Sequence, residues 1–328
     1  MALSVAGISL VSPLALGPSE HVFFARAEVT PHASGAFTTR EGESLPIHDC
    51  AWIPASRPWG SRLRLLAKQA LGRVEPTSPK TPILLIAPRE AVSGDAELLR
   101  FLALAGHTVA SVRSGSASFV SALHEARELL AREPEVIVLA VDSLLSQREV
   151  TAWAEVRYSA FTRNPLPPSE GAAAVRLVQG TRSPLAGKIH AFAGAQSEAT
   201  DDNDVAPDGV ALGRVFAELG MPATVPLVVG PSDVDPLRTR EFHLVAARNH
   251  ARLDRAEMPG FEGRIGLFGS AAGLMSTVFA LAWLRHGLPL PLPLPLPEPE
   301  PAARRVALSW ARSRDGAVGA ALVGDERS

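Results

Sequence analysis

Short, almost continuously apolar runs recur along the chain at residues 4–11, 82–87, 107–112, 135–141, 172–178, 223–229 and 305–309. Runs of this length, rich in Val, Ile, Leu and Ala, predict strands, several of them buried on both faces. Between them apolar positions return at helical spacing over residues 61–71, 95–105, 118–132, 147–156, 208–219, 239–252 and 270–285. Strands alternating with helices predict an α/β fold with helices on both sides of the sheet.

A weak internal echo suggests two similar halves. Ala70-Leu-Gly-Arg-Val74 precedes Pro82-Ile-Leu-Leu-Ile-Ala-Pro88, and Ala211-Leu-Gly-Arg-Val215 precedes the apolar run from Pro226 to Pro231. Each is a helix end, a short loop and a buried strand closed by proline. The division is expected at 1–195 and 196–328, with the polar, acidic stretch 196–208 as a surface loop. Residues 288–301 depart from this rhythm, because proline stands at every second position, alternating with leucine and then glutamate. Such a run lacks the N–H groups for a helix or central strand and predicts a stiff polyproline II connector.

Two segments imitate membrane signals. Residues 2–17 are uncharged but lack a basic leader and are broken by Pro13. Residues 265–284 are uncharged and long enough to span a bilayer. Their Gly, Ser and Thr content fits a helix buried on all sides of a soluble core, and a single-span anchor is the alternative. The expectation is a cytoplasmic protein with no membrane contact.

The net charge of −2 argues against a nucleic-acid partner, since phosphate binding needs a basic surface. The single cysteine, Cys50, excludes an internal disulfide and reads as a free thiol in a connecting segment, although His48 and Asp49 precede it. The nine histidines show no His-x-x-x-His or Glu-x-x-His pair, so neither a metal nor a cofactor is expected.

The candidate chemistry lies between residues 112 and 143. Val112-Arg-Ser-Gly-Ser-Ala-Ser118 joins a strand to a helix through a turn of small residues. That turn places Ser116 at a helix start, where free backbone N–H groups stabilise negative charge. It is not a Gly-x-Ser-x-Gly elbow, because residue 118 is serine. His124 lies two helical turns further on, roughly 12 Å along the axis, too far to serve as its base directly.

The order of several segments resembles the β-ketoacyl synthases of the thiolase-like superfamily. Ser4-Val-Ala-Gly-Ile-Ser-Leu-Val-Ser-Pro-Leu14 is similar to the family's opening strand and turn. Residues 112–143 are similar to its nucleophile strand, helix and following strand. Pro168-Ser-Glu-Gly-Ala-Ala-Ala-Val-Arg-Leu-Val178 is similar to its Gly-Glu-Gly-Ala-Ala strand. Gly266-Leu-Phe-Gly-Ser-Ala-Ala-Gly273, continuing to Gly287, is similar to its glycine-rich helix, and residues 305–323 to its last strand pair. The likeness covers nearly the whole chain. It implies a five-layered αβαβα fold made of two similar halves.

The family condenses acyl groups with one cysteine and two histidines. By resemblance the cysteine position is Ser116, and one histidine position is Leu267. The other histidine belongs between Gly230 and Pro236, where Gly-Pro-Ser-Asp-Val-Asp-Pro contains none. The expected lysine is also missing, Glu262 being nearest, and the family's final turn is replaced by Arg314-Asp315-Gly316. Gly115 and Gly316 are the expected turn and oxyanion positions. A serine hydroxyl is a poor nucleophile without a base. Loss of one oxyanion donor alone costs ~100–1000-fold in rate. The expectation is therefore a chain without condensing activity that acts by binding. Its implied partners are a second copy or a ketosynthase-like subunit, with an acyl carrier protein as a further one. In the family the strand matching 107–112 runs along the dimer interface. The alternative is an acyltransferase or hydrolase using Ser116 as an acyl-accepting nucleophile.

Overall fold

The computed structural model describes residues 2–38, 44–76, 78–93, 96–146, 166–180, 186–200, 205–231, 236–286 and 306–325. The helix predicted at 147–156 and the proline run at 288–301 lie outside these residues.

The chain runs β1 (Leu3–Val11), α1 (Pro18–Arg26), β2 (Ser34–Thr38), β3 (Ser44–Ile47), α2 (Trp59–Val74), β4 (Pro82–Ile86), α3 (Glu97–Leu104), β5 (Thr108–Arg113), α4 (Ser118–Leu129), β6 (Glu135–Ser143) and β7 (Glu170–Val178). It continues through β8 (Gly187–Gln196), α5 (Val210–Glu218), β9 (Leu227–Val229), α6 (Pro236–Arg248), α7 (His250–Leu253), α8 (Phe261–Ile265), α9 (Ala272–His286), β10 (Val306–Arg312) and β11 (Ala317–Gly324). Nine strands form one sheet in the order β5-β4-β6-β7-β1-β8-β11-β10-β9, and β2 and β3 form a separate hairpin.

Alternation along the strands sorts the side chains into three cores. Ile83, Leu85, Ile137, Leu139 and Val141 pack with α2 and α3 on one outer face. Leu84, Ile86, Val136, Val138 and Ala140 point the other way, onto α4 and α9. From the second half, Ala307, Ala311, Ala321 and Val323 reach the same central core, whereas Leu308, Trp310, Val318 and Ala320 face α5 and α6. The β5-to-β1 and β8-to-β9 parts of the sheet thus form two layers around one central core, giving helix, sheet, helix, sheet, helix: the αβαβα arrangement the resemblance implies.

The halves repeat one topology. In the first, numbering strands in chain order as β1, β4, β5, β6 and β7, the sheet order is 3-2-4-5-1. In the second, β8, β9, β10 and β11 stand at 1, 2, 4 and 5 of the same order. The third position is marked by a single parallel bridge, Leu227 to Glu257. The echoed pentapeptides end α2 and lie in α5, each leading into the second strand of its half. Strand β8 spans the expected division at 195 and 196 and pairs with both β1 and β11.

Helix α9 explains the uncharged stretch before Arg285. Every residue from Ala272 to Leu284 is buried, so it is the central core helix. Among the described residues no helix is long and apolar enough to cross a membrane. Hydropathy did not predict β8, whose Gly-Lys-Ile-His-Ala-Phe-Ala-Gly-Ala-Gln run lacks a bulky apolar stripe. Gly194 of β8 pairs with Gly319 of β11. A Cβ on Gly319 would lie 2.6 Å from Val120 and 3.1 Å from the Ala117 carbonyl. Small residues there admit the first turn of α4, which fixes the site described next.

Candidate functional site

The chain leaves β5 and enters α4 through Gly115, at φ +95°. A Cβ there would also sit 2.8 Å from Ser313 Oγ, so glycine is required twice over. The turn is fastened on three sides. Gly115 N–H donates to Ser270 Oγ at 3.2 Å, and Ala117 N–H donates to Ser313 Oγ at 2.8 Å. Ser118 Oγ–H donates back to the Ser114 carbonyl.

Ser116 is buried, and its hydroxyl donates to the Arg312 carbonyl at 2.7 Å. Among the described residues that is its side-chain hydrogen bond, and neither a histidine nor a carboxylate accepts its proton. Arg312 is itself fixed: Nη1 meets Glu241 at 2.7 Å, and Nη2 donates to the Ala199 carbonyl. Burial raises the Glu241 pKa, and the Arg312 charge beside it opposes the rise.

Leu267 faces the same space. Its N–H donates to the Pro167 carbonyl and its own carbonyl accepts from Ser169 N–H, both at 3.0 Å. The following turn is anchored by Asp142, whose carboxylate accepts the backbone N–H groups of Ser143 and Ser270. Ser116 and Leu267, with Arg238, Phe268, Trp310 and Arg314, line one cavity of about 540 Å³. No histidine is among its described lining residues.

Gly316 is placed differently. At φ +85° it closes the β10–β11 turn, and its N–H donates to the Ser313 carbonyl at 3.1 Å. It does not line the cavity, although Arg314 and Asp315 do. Both glycines expected to offer oxyanion donors thus have their N–H groups engaged by serines.

The stretch expected to hold the second histidine begins at Gly230 and Pro231; residues 232–235 lie outside the described part. A Cβ on Gly230 would lie 2.3 Å from the Trp310 indole. Trp310 is fully buried and stacks on Phe242 at 5.6 Å. Its ring fills the space a side chain at 230 would need.

The remaining candidates lie elsewhere. His124 is bonded to Arg127 and edges onto Phe192. His48 donates through Nδ1 to the Ile265 carbonyl at 2.8 Å. Cys50 is buried, and burial together with the Glu170 carboxylate pushes its thiol pKa well up. It is expected to resist thiol reagents such as Ellman's reagent until the chain unfolds; rapid native labelling would contradict that. Among the described residues no group of side chains could hold a metal ion. Nothing in the residue pattern singled out Asp142, Ser313 or Trp310, whereas Ser270 lies within the readable Gly266–Gly273 run.

No family model matches the chain, and no curated protein matches it. Solved structures do. The ishigamide ketosynthase/chain length factor is similar at 19% identity and TM-score 0.72, with 99% of each chain covered. A ketosynthase in complex with its chain length factor from Xenorhabdus doucetiae is similar at 13% identity and TM-score 0.76, covering 99% of this chain and 98% of that one. The ketosynthase from module 6 of the bacillaene synthase from Bacillus subtilis 168 is similar at 14% identity and TM-score 0.74, covering 99% of this chain and 72% of that one. The chain therefore has the thiolase-like fold of ketosynthases and chain length factors.

Proposed function

We propose that this chain is a non-condensing, ketosynthase-like subunit that works by pairing with another thiolase-like chain. The observation that carries the reading is the bond from Ser116 Oγ to the Arg312 carbonyl. It spends the hydroxyl proton on an acceptor that cannot act as a base. The hydrocarbon side chain of Leu267 offers no hydrogen bond to an enolate or thioester oxygen. A thiolate and two donors acting as a unit are missing together, and such losses do not leave a partial condensing enzyme.

Pairing is supported by the edge of the sheet. Strand β5 is the terminal strand, exposed at Thr108, Ala110 and Val112. Beside it Leu104 is 88% exposed at the end of α3. An edge exposed in this way among the described residues is a template for pairing with another chain. Two of the similar structures join a ketosynthase with a chain length factor. The favoured occupant is a ketosynthase-like subunit, with self-pairing as the homodimeric form.

The purified chain is expected to show no malonyl-thioester turnover and no mass increase after incubation with acyl thioester or phosphonate. Ser116→Cys is expected to leave turnover absent, because the partner groups are still missing. A stable adduct on the wild-type chain that Ser116→Ala removes would establish the acyl-transfer alternative instead. For the pairing, co-expression with a ketosynthase-like subunit should yield a complex. Val112→Lys is expected to weaken it at least roughly tenfold by placing an unpaired charge in the covered edge. An unchanged Kd would remove β5 from the interface.

A further inference from the structure

Helix α1 is joined to β1 through one fully buried histidine. His21 Nδ1–H donates to the Gly17 carbonyl at 2.7 Å, and Ser12 Oγ–H donates to His21 Nε2 at 2.7 Å. Ser12 Oγ in turn accepts Leu14 N–H at 3.1 Å, and Ser12 N–H donates to the Ala15 carbonyl. The directions are forced. A carbonyl can only accept, so the proton sits on Nδ1, and Nε2 must then be the bare acceptor.

We propose that the Ser12–His21–Gly17 chain is an acid-sensitive clasp, in which a proton taken up on His21 Nε2 breaks the bond from Ser12 and loosens the start of α1 while the sheet stays folded. A protonated ring would present N–H to both neighbours, so Ser12 could no longer donate to it and would have to turn its hydroxyl proton elsewhere, while the charge sits in a fully buried site. Burial holds the imidazole pKa down, from 6.5 to about 4. The Arg73 charge on α2 acts in the same direction, and the Gly17 carbonyl opposes it. On α1 itself Glu20 is engaged with Leu16 N–H. Strand β1 has no ionisable side chain, and α9 carries Arg285 and His286 only in its last turn. The far end of α1 keeps a separate hold, with Arg26 lying 5.5 Å over the Trp283 ring. Opening is thereby confined to the turn and the first part of the helix.

The sign follows from the lowered value. The closed clasp is favoured above pH 6.5, and that preference is lost as pH falls toward 4. Between pH 7.5 and pH 5 the opening equilibrium of α1 should rise roughly 25-fold. Amide hydrogen exchange of the full chain, corrected for intrinsic rates, reads it directly. Protection in α1 should fall by that factor while β6 keeps its own. Unchanged α1 protection, or loss in step across β6, would overturn the clasp. A His21→Gln chain that folds should lose the pH dependence of α1 exchange; a persisting dependence would assign it to another group.

Discussion

Replacing Glu170 with alanine is expected to cost about 3–5 kcal/mol of stability and to lower Tm by about 10 °C. Arg62 and Glu170 are 4% and 0% exposed, and the guanidinium reaches both carboxylate oxygens through Nε and Nη2. The same carboxylate accepts Cys50 N–H at 2.9 Å and Ser143 Oγ–H at 3.1 Å. Alanine would leave a buried cation and two further donors without their acceptor. Desolvation then opposes the folded state with no Coulomb term against it. Glu170→Gln keeps an acceptor and should lose less. The apolar double variant Arg62→Met with Glu170→Leu should also lose less than Glu170→Ala, because it removes both charges together. Thermal and denaturant unfolding followed by circular dichroism measures all three. A single-variant loss below about 1 kcal/mol would mean that water reaches Arg62.

The pair also shows why some of this molecule was legible in its sequence and some was not. Strands β4, β6 and β7 announced themselves because both faces are buried and their central positions are apolar. Helix α9 did so because every residue from Ala272 to Leu284 is buried. The echo between residues 70–74 and 211–215 marked equivalent helix–strand units, since the same local problem was solved by the same local residues. By contrast, Arg62 meets Glu170 across 108 positions, and Arg312 meets Glu241 across 71. No spacing rule reaches that far. Helix α1 escaped because its apolar pattern is weak, its buried positions being His21, Val22 and Ala25. Strand β8 escaped because the packing it needs is with glycine and alanine, which carry little hydropathy signal.

The cavity follows the same division. Ser116, Gly115 and Leu267 were found from the order of motifs, and the structure brings Ser116 and Leu267 to one cavity. What surrounds them was not readable. Serines at 270 and 313 hold the turn by its N–H groups, and the Trp310 ring occupies the space over Gly230. A buried hydroxyl bonded to a carbonyl and an indole packed over a glycine are contacts between residues far apart in the sequence.

Two helical glycines should respond to alanine with opposite signs, and the larger effect is at Gly273. In α9 a Cβ at 273 would stand 2.1 Å from the Ser116 carbonyl oxygen and 2.6 Å from the Phe119 ring. Neither neighbour can yield cheaply. The carbonyl belongs to the turn fastened by Ser270 and Ser313, and Phe119 is fully buried. Alanine is intrinsically the better helix former by about 1 kcal/mol, but forcing backbone to shift in a packed core costs about 1–3 kcal/mol and sometimes more, and a 2.1 Å approach to backbone oxygen lies at the costly end. The clash wins, and Gly273→Ala should be strongly destabilising. At Gly72, exposed near the end of α2, an added Cβ meets nothing within 4 Å. There the propensity term acts alone, and Gly72→Ala should stabilise by up to about 1 kcal/mol. Parallel urea titrations of the two variants measure the contrast. If Gly273→Ala unfolds at the wild-type midpoint, α9 does not abut the Ser116 turn, and the close packing that shapes the cavity is refuted.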